Sequence, residues 1–427
     1  MLRIYQIIII SFLAVTLVIG QTPSPAPPQK EKIVVFGGTA HIGNGKVIEE
    51  SVIEFEKGKL IKVGIKENTN FGNTTQIIDA TGKHIYPGLI LPNSTLGLVE
   101  IGSVRATIDT RETGELNPNV RSIVAYDTDS RIIPTLRSNG VLMAQIVPGG
   151  GLISGTSSIV HFDAWDWEEA AIKMDNGMHL RWPRKYRSKE SGKLEERETY
   201  KESVKKIRKL FKDAKAYDNS FKEQENNPKL EAMQGLFDGS VKLYIDASSH
   251  EEIIESVTFA REFEIKNIAL TDAGEIAWQV KDFLKEHNVS VILDDIHSLP
   301  SQSHSNSWKV SRLPAKFYKE GIQVTFSISW ISKVMNYPFL AGTAAAFGLN
   351  KEEALQLVTK IPAEILGIAD RAGTLEKGKD ASIVISEGDI LDMKSNNITH
   401  AFIQGKQIDL DNKHKKLYRK YKERYNQ

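Results

Sequence analysis

Apolar and polar positions alternate along the middle of the chain in a pattern that predicts parallel strands separated by helices. Residues 242–246, 267–271 and 289–294 are short and mostly apolar runs, as in strands that are buried on both faces. The stretches between these runs place apolar side chains at helical spacing. Strand–helix–strand units of this length join parallel strands by right-handed crossovers, and about eight of them predict a (β/α)8 barrel.

Capping signals support the two helices of this region. Ser249 precedes one helical stretch, and Glu252 follows it at the third position. Asp272 and Glu275 stand in the same relation before the next helical stretch. A short polar side chain followed after three residues by glutamate is the capping-box pattern. Asp272 is therefore interpreted as a helix cap.

Both ends of the chain carry short strands instead. Residues 51–55 and 60–64 are strand-like and flank a Lys-Gly turn at 57–58, which is a hairpin signal. Further strand-like runs lie near the other end, at 381–385 and 399–403. Either set alone makes a thin sheet, so we expect the two ends to build one composite β-sandwich.

The predicted organisation of the chain follows from these patterns. The predicted segments are a signal peptide at 1–20, a Pro-rich spacer at 21–31, the first part of the β-sandwich at 32–86, the barrel at 87–365 with a helical insertion at about 165–240, the second part of the sandwich at 366–410, and a basic tail at 411–427. The insertion has apolar residues on one face and charges on the other, which favours a solvated helix beside the barrel, with a lid or partner-binding arm as the alternative.

The N-terminal segment has the pattern of a secretory leader. Arg3 precedes an apolar run at 7–19, and Gly20 offers a small residue for cleavage. We therefore expect an exported, periplasmic protein from which the leader is removed. Retention of the run as a membrane anchor is the alternative, because its length approaches that of a membrane span.

The basic tail predicts an amphipathic helix. Leu417, Tyr418, Tyr421 and Tyr425 fall on one face of such a helix, with lysines and arginines on the other. We expect this face to pack on the protein's own surface. Association with an anionic membrane or a partner is the alternative.

Composition limits the kinds of partner and of active site that the chain can have. The 427 residues carry 55 basic and 54 acidic side chains, a net charge of +1, so no overall field attracts nucleic acid. The chain has no cysteine, which excludes disulfides, thiolate metal sites and a cysteine nucleophile. The sequence also lacks the Gly-x-Ser-x-Gly elbow and the phosphate-binding P-loop.

Three groups of motifs identify a family. They are Tyr86 to Ile90 (YPGLI), residues 116–123 with 139–141 and 148–151, and residues 353–355 with 362–367 and 373–381 (GTLEKGKDA). With them the chain resembles the amidohydrolase superfamily and its imidazolonepropionase-like branch. The resemblance implies a TIM-like barrel with a composite β-sandwich, and hydrolysis of carbon–nitrogen bonds at zinc held at the C-terminal ends of the barrel strands.

The metal-binding positions of that family are occupied by other residues in this chain. By resemblance, the positions lining the vacated pocket are Asn93, Thr95, Asp246, Ser248, Thr271 and Ser329. Amide and hydroxyl oxygens are poor ligands for a transition metal compared with imidazole, and a serine is not a general base at neutral pH without an activator. We therefore expect no metal cofactor and assign no catalytic residue.

A rebuilt metal site is the alternative. Its candidates are Asp272, Asp294, Asp295 and His297, with His161 and His304 as further imidazoles. Asp294 and His297 follow a predicted strand at the correct face of the barrel, and a carboxylate with a nearby imidazole can bind a divalent ion. Aspartates in loops more often cap or solvate the backbone.

Three functions are consistent with these features. We expect a catalytically silent subunit or ligand-binding homologue that binds a small polar ligand or pairs with an active paralogue of the family, as a homo- or hetero-oligomer without nucleic acid. One alternative is a hydrolase of small or cyclic amides with a rebuilt or metal-free site. The other is a periplasmic binding protein for a small solute.

Overall fold

A computed structural model of the chain describes residues 24–65, 75–189, 193–217, 226–298 and 308–425. The predicted signal peptide and His304 lie outside these ranges. The strands within them are β1 (Lys32–Phe36), β2 (Thr39–His41), β3 (Val47–Ile48), β4 (Ser51–Glu56), β5 (Lys59–Ile65), β6 (Thr75–Asp79), β7 (His84–Pro87), β8 (Leu89–Ser94), β9 (Val141–Ile146), β10 (Ile153–His161), β11 (Ala171–Arg181), β12 (Tyr186–Ser188), β13 (Leu194–Glu196), β14 (Lys242–Asp246), β15 (Ile268–Ala273), β16 (Ser290–Leu293), β17 (Val324–Phe326), β18 (Ile383–Ser386), β19 (Ile398–Ile403) and β20 (Lys406–Gln407).

The helices connect and cover these strands. They are α1 (Ile133–Arg137), α2 (Trp167–Ala170), α3 (Tyr200–Ala216), α4 (Pro228–Glu231), α5 (Gln234–Asp238), α6 (His250–Glu262), α7 (Glu275–Gln279), α8 (Lys281–Glu286), α9 (Leu313–Lys319), α10 (Tyr337–Ala346), α11 (Lys351–Gln356), α12 (Lys360–Ile365) and α13 (Lys413–Arg424). None of the helices in the described ranges is both long and apolar enough to cross a membrane.

The two chain ends build one β-sandwich, as predicted. One sheet has the order β5-β4-β1-β6, and the other has the order β20-β19-β18-β7-β2-β3. β18 pairs antiparallel with β7, so the second sheet joins strands from both ends of the chain. The rings of Phe55 and Phe402 pack edge to face with their centroids 5.1 Å apart in the core between the sheets. Neither end could bury these side chains alone.

The predicted hairpin at 57–58 joins β4 to β5. Lys57 and Gly58 both have positive φ angles, of 50° and 78°. Two consecutive positive angles define the type I′ turn, whose twist matches that of the two strands.

An eight-stranded sheet forms the barrel and confirms the fold class. Its order is β17-β16-β15-β14-β11-β10-β9-β8. All neighbouring strands are parallel except at β10, which pairs antiparallel with both β9 and β11. Short connections rather than barrel helices therefore enter and leave β10, so the strand–helix alternation predicted for the whole barrel fails at this one strand.

The barrel is nearly closed, and a loop fills the gap between its first and last strands. The backbone N–H of Ile90 in β8 donates to the carbonyl of Val358 at 3.0 Å. On the other side, the Thr325 hydroxyl in β17 donates to the carbonyl of Leu357 at 2.7 Å. The loop thus pairs a backbone N–H at the edge of β8 and is attached to β17 through a side chain.

The predicted helical insertion at about 165–240 contains a barrel strand. β11 lies inside this range and occupies the middle of the eight-stranded sheet. Its first half is only partly buried, so it lacks the continuous apolar pattern by which the other strands were recognised. The longest helix of the range is α3, whose Ile207 and Phe211 are buried against the barrel core.

Asp163 joins three parts of the fold. Its carboxylate contacts the Arg137 guanidinium at 3.3 Å and the Lys406 ammonium at 3.1 Å, and it accepts the backbone N–H of Ala26 at 3.1 Å. Arg137 belongs to the barrel and Lys406 to the sandwich. The side chains of Asp163 and Arg137 are 1% and 5% exposed, so each charge depends on its partner for compensation.

Replacing Asp163 should destabilise the whole fold. Asp163→Ala leaves the buried Arg137 guanidinium without its carboxylate, and we expect the free energy of unfolding to fall by about 3–5 kcal/mol. Urea denaturation followed by circular dichroism measures this change. Asp282→Ala is the matched control, because its side chain is 87% exposed, and it should change the stability by no more than about 0.5 kcal/mol. Equal stability of the two variants would contradict this role of Asp163.

Candidate functional site

The C-terminal ends of the barrel strands enclose a cavity of about 150 Å³, called the mouth cavity below. Its lining includes most of the positions that the sequence singled out, namely Asn93, Thr95, Asp246, Thr271, Asp272 and Ser329. Side chains and backbone that sequence reasoning missed complete it, and these are Val147, Pro148, Gly149, Ser154, His179, Leu180, Arg181 and Tyr244. Parallel strands bring residues from distant parts of the chain to the same end of the barrel, so this convergence follows from the fold.

Two of the lining residues are positioned by irregularities in their strands. Asn93 and Asp272 have φ angles of 49° and 50°, in the left-handed region that non-glycine residues rarely adopt. The strand register shifts next to each of them, between Leu91 and Ser94 in β8 and between Leu270 and Ala273 in β15. A bulge of this kind re-aims a side chain, here toward the mouth cavity.

Asp272 does not cap a helix, contrary to the sequence interpretation. The N-cap position of α7 is held by Gly274. Asp272 instead accepts a hydrogen bond from the Asn93 amide at 3.2 Å across the barrel mouth. The other predicted cap is confirmed, since the Ser249 hydroxyl accepts the backbone N–H of Glu252 at the start of α6. The capping-box patterns at Ser249 and Asp272 are equivalent in sequence, and only their tertiary contacts differ.

Ser329 connects two carboxylates. Its hydroxyl lies 3.0 Å from Asp294 and 3.4 Å from Asp272, and having one hydrogen it can donate to only one of them at a time. The shorter distance favours donation to Asp294. Protonated Asp272 could then donate to the Ser329 oxygen, which would extend the chain of hydrogen bonds from Asn93 to Asp294.

Asp272 has an elevated pKa of about 6. The cavity admits solvent to its carboxylate, but protein atoms surround it, and this burial is the largest cause of the shift. The negative charges of Asp246 and Asp294 raise the pKa further, whereas the Ser329 hydroxyl and Arg181 lower it. The carboxyl group of Asp272 is thus close to half-protonated near pH 6.

Asp246 is neutralised by two arginines. One carboxylate oxygen lies 3.2 Å from Nε of Arg181, and the other lies 3.0 Å from Nη2 of Arg184. Arg184 also reaches the buried carboxylate of Glu252 at 3.4 Å. Both oxygens of Asp246 are therefore engaged by cations of the protein itself. Ser248, expected near the pocket, instead donates its hydroxyl to Glu252 at 3.2 Å and supports the start of α6.

His179 is the one imidazole of the mouth cavity among the described residues. It projects from β11, and its ring stacks on Tyr244 with centroids 4.9 Å apart. Burial lowers its pKa to about 3, so the ring is neutral. Its Nε2 atom is buried and has no hydrogen-bond partner within the described part of the chain. The alternation in residues 176–182 was the available sequence signal for this strand, but the preceding polar residues obscured it.

Of the four residues proposed for a rebuilt metal site, Asp272 and Asp294 meet at Ser329, whereas Asp295 and His297 lie elsewhere. Asp294 faces Ser329, whereas the adjacent Asp295 pairs with Lys333 at 2.9 Å. The imidazole of His297 contacts the Thr343 hydroxyl at 2.7 Å and lines a separate groove beside α10. His161 is also buried elsewhere, as the last residue of β10, and burial lowers its pKa to about 4. In the described ranges no three histidine, aspartate or glutamate side chains are grouped as a metal site would require.

The fold agrees with comparisons to known proteins. The model of the amidohydrolase family matches residues 184–408, which is more than half of the chain, and the chain belongs to this family. No curated protein matches it.

Solved structures share the fold. An amidohydrolase from Thermotoga maritima MSB8 is similar with a TM-score of 0.77 and 23% identity, over 88% of this chain and 99% of that one. A prolidase complexed with N-methylphosphonate-L-proline has a TM-score of 0.56 and 14% identity, over 88% and 99%. An adenosine deaminase from Xanthomonas campestris with bound Zn has a TM-score of 0.54 and 12% identity, over 93% and 99%. At these identities the likeness establishes the fold and no more.

The side chains of the mouth cavity do not fit the zinc that amidohydrolases typically use. Zinc prefers imidazole, thiolate and free carboxylate ligands. Here Asn93 and Thr95 offer neutral oxygens, and the Asp246 carboxylate is already bound by Arg181 and Arg184. Arg181 also places a positive charge in the lining of the cavity, which disfavours the binding of a dication.

Replacing Asp272 should show, through the pH dependence of stability, that its ionised carboxylate destabilises the folded protein. Its folded pKa of about 6 exceeds the value of 3.8 expected without the protein environment. The folded state therefore binds more protons between these values, and the wild type loses stability as the pH rises through this window. Asp272→Asn cannot ionise, so its melting temperature should exceed that of the wild type near pH 8, with a smaller difference near about pH 4.

Thermal denaturation of both proteins across this pH range is the measurement, and Asp282→Asn is the exposed control that should show no such trend. A variant that is destabilised by the same amount at both pH values would show that the negative charge of Asp272 does not destabilise the folded protein.

Proposed function

We propose that this chain is a non-hydrolytic member of the amidohydrolase family that acts after export and binds a small polar ligand in the mouth cavity. The observation that carries this proposal is the state of the strand-end side chains. The Asn93 amide donates a hydrogen bond to Asp272, and the Ser329 hydroxyl donates to Asp294. Arginines of the protein bind the Asp246 carboxylate. These side chains form a compensated hydrogen-bonded lining rather than an open set of metal ligands. The leader-like N-terminal segment supports the export part of the proposal.

The resemblance to the family implies that hydrolysis depends on a metal-activated water. The mouth cavity offers no assembled nucleophile in its place. The Ser329 hydroxyl donates to carboxylates and has no imidazole beside it among the described residues. His179 is neutral and stacked against Tyr244, with no carboxylate paired to its ring. A nucleophile needs an adjacent base, and the base needs a third group that orients it. These elements are not assembled here.

The lining is nevertheless suited to binding. Arg181 and Asn93 supply hydrogen-bond donors, whereas Asp272 supplies an acceptor that can change its protonation. The ring of His179 also lines the cavity, and a neutral imidazole carries one donor and one acceptor nitrogen. The cavity volume of about 150 Å³ is below the roughly 300–1,000 Å³ of pockets for drug-sized ligands, so the ligand must be small.

Metal-free hydrolysis of a small amide is the second candidate, and one observation favours it. A general base works best when its pKa lies near the working pH, and Asp272 has a pKa of about 6 inside the cavity. Asp272 would then take a proton from water beside the bound amide. This candidate requires turnover that Asp272→Asn abolishes.

Small polar compounds should stabilise the folded protein through the mouth cavity. A panel of small amides, cyclic imides and amino acids, screened by thermal denaturation, should contain compounds that raise the melting temperature of the wild type. His179→Phe keeps the stacking on Tyr244 but removes the ring nitrogens, and we expect it to weaken such binding by about tenfold or more. His250→Phe, at an exposed position on α6, is the matched control and should bind like the wild type. Equal loss of binding in both variants would place the ligand elsewhere.

Purified protein should not hydrolyse these compounds. We expect no product from the same amides and cyclic imides, with or without added zinc, because no activated water is available. The measurement is product formation by liquid chromatography across the fractions of a sizing column. Turnover that follows the protein peak and is lost in Asp272→Asn, but kept in Asp282→Asn, would overturn the proposal in favour of metal-free hydrolysis.

A further inference from the structure

The C-terminal helix α13 projects from the body of the protein. Its N-terminal end is fixed by Asn412, which is buried, accepts the backbone N–H of Lys415 at 2.9 Å and donates to the Ser138 hydroxyl at 2.8 Å. Beyond this anchor, none of the twelve side chains of the helix is buried. The helix therefore presents nearly its whole circumference to the surroundings.

One face of α13 is aromatic and exposed. At 3.6 residues per turn, its apolar positions cover about 100° of the helix circumference. The exposed fractions are 40% for Leu417, 65% for Tyr418, 49% for Tyr421 and 63% for Tyr425. The expectation that this face packs on the protein's own surface is therefore wrong. A contiguous exposed stripe of large side chains is typical of an interaction site.

Basic side chains flank this face on both sides. Seven of the twelve residues of α13 are lysine or arginine, and one is glutamate. Lys413, Lys420 and Arg424 lie along one flank, with Lys415 and Lys422 along the other. Among the ion pairs of the described residues, only the one between Arg419 and Asp411 involves this helix. Most of its positive charge is thus uncompensated, although the chain as a whole carries only +1.

The described chain begins beside the same helix. Pro27 lines a groove together with Lys415 and Arg419. Residues 1–23 are outside the described ranges, and their sequence contains the apolar run at 7–19. The chain therefore enters the fold on the side that carries the basic helix.

We propose that α13 docks on the surface of a bilayer that contains anionic lipid. Tyrosine rings suit the headgroup region because they combine an apolar body with a polar tip, and flanking lysines reach the phosphates. A single-stranded nucleic acid would use the basic charge and could stack its bases on the tyrosines, but it would leave the aliphatic Leu417 without an apolar environment. The lipid matches both the charge of the flanks and the apolar face between them. This surface is distinct from the mouth cavity and does not depend on the ligand proposed there.

Vesicle co-sedimentation of the purified chain tests this proposal. The probes are vesicles of phosphatidylcholine alone and vesicles that also contain phosphatidylglycerol. We expect binding to the anionic vesicles only, and weakening of that binding as salt is added. Lys413→Gln, Lys420→Gln and Arg424→Gln combined should weaken it at least tenfold, since each basic residue near such a surface contributes roughly fivefold. Tyr418→Ser with Tyr421→Ser keeps the charge and should also weaken binding several-fold.

The control removes the same charge from another helix. Lys201→Gln, Lys205→Gln and Lys212→Gln on α3 should leave vesicle binding unchanged, which separates the helix from net charge. Circular dichroism should show that all variants remain folded, because the changed side chains of α13 are exposed. Vesicle binding that persists in both α13 variants would place attachment elsewhere, the apolar N-terminal run included, and would overturn the proposal. Tighter binding to single-stranded DNA than to anionic vesicles would overturn it as well.

Discussion

The barrel mouth of this protein has to accommodate three carboxylates that its own topology brings together. Asp246, Asp272 and Asp294 follow adjacent parallel strands, so they meet at one end of the barrel. Like charges in a partly buried cavity repel one another, and amidohydrolases with zinc have a metal ion at this end of the barrel. Here the compensation comes from the chain itself. Two arginines bind Asp246, a serine hydroxyl binds Asp294, and Asp272 has an elevated pKa.

The fold of this chain depends little on the polar lining of its mouth cavity. The barrel core and the sandwich are held by apolar packing and by Asp163, and most of these side chains lie away from the mouth cavity, although Leu180 and Tyr244 belong to both. Substitutions at the strand ends therefore alter the site without removing the interactions that define the fold. Function resides in the site rather than in the fold, so membership of the amidohydrolase family does not by itself assign an activity.

The fold was largely predictable from the sequence because its signals are local. The hairpin turn at 57–58 and the apolar strands at 242–246 and 289–294 depend on side chains close to them in the chain. The strand β11 was missed because its first half is only partly buried and its sequence is mixed. With that strand the sequence also missed His179 and Arg181, which are two of the main side chains of the cavity.

The candidate site was predictable only in part because its roles depend on tertiary contacts. Ser249 and Asp272 both begin a capping-box pattern, but only Ser249 caps a helix, since a bulge in β15 directs Asp272 into the cavity. Asp294 and Asp295 are adjacent in sequence and serve different partners. Nothing in the order of residues distinguishes these cases.

The content of bound metal shows whether the negative charge at the barrel mouth is compensated by the chain or by a metal ion. Protein purified without chelator, dialysed against zinc and then against buffer, would be measured by elemental mass spectrometry, with His297→Ala and Asp294→Asn as matched samples. We expect close to no zinc per chain in the wild type and in both variants. About one zinc per chain in the wild type that is lost on changing Asp294 would contradict it and would make a metal-dependent hydrolase the better description.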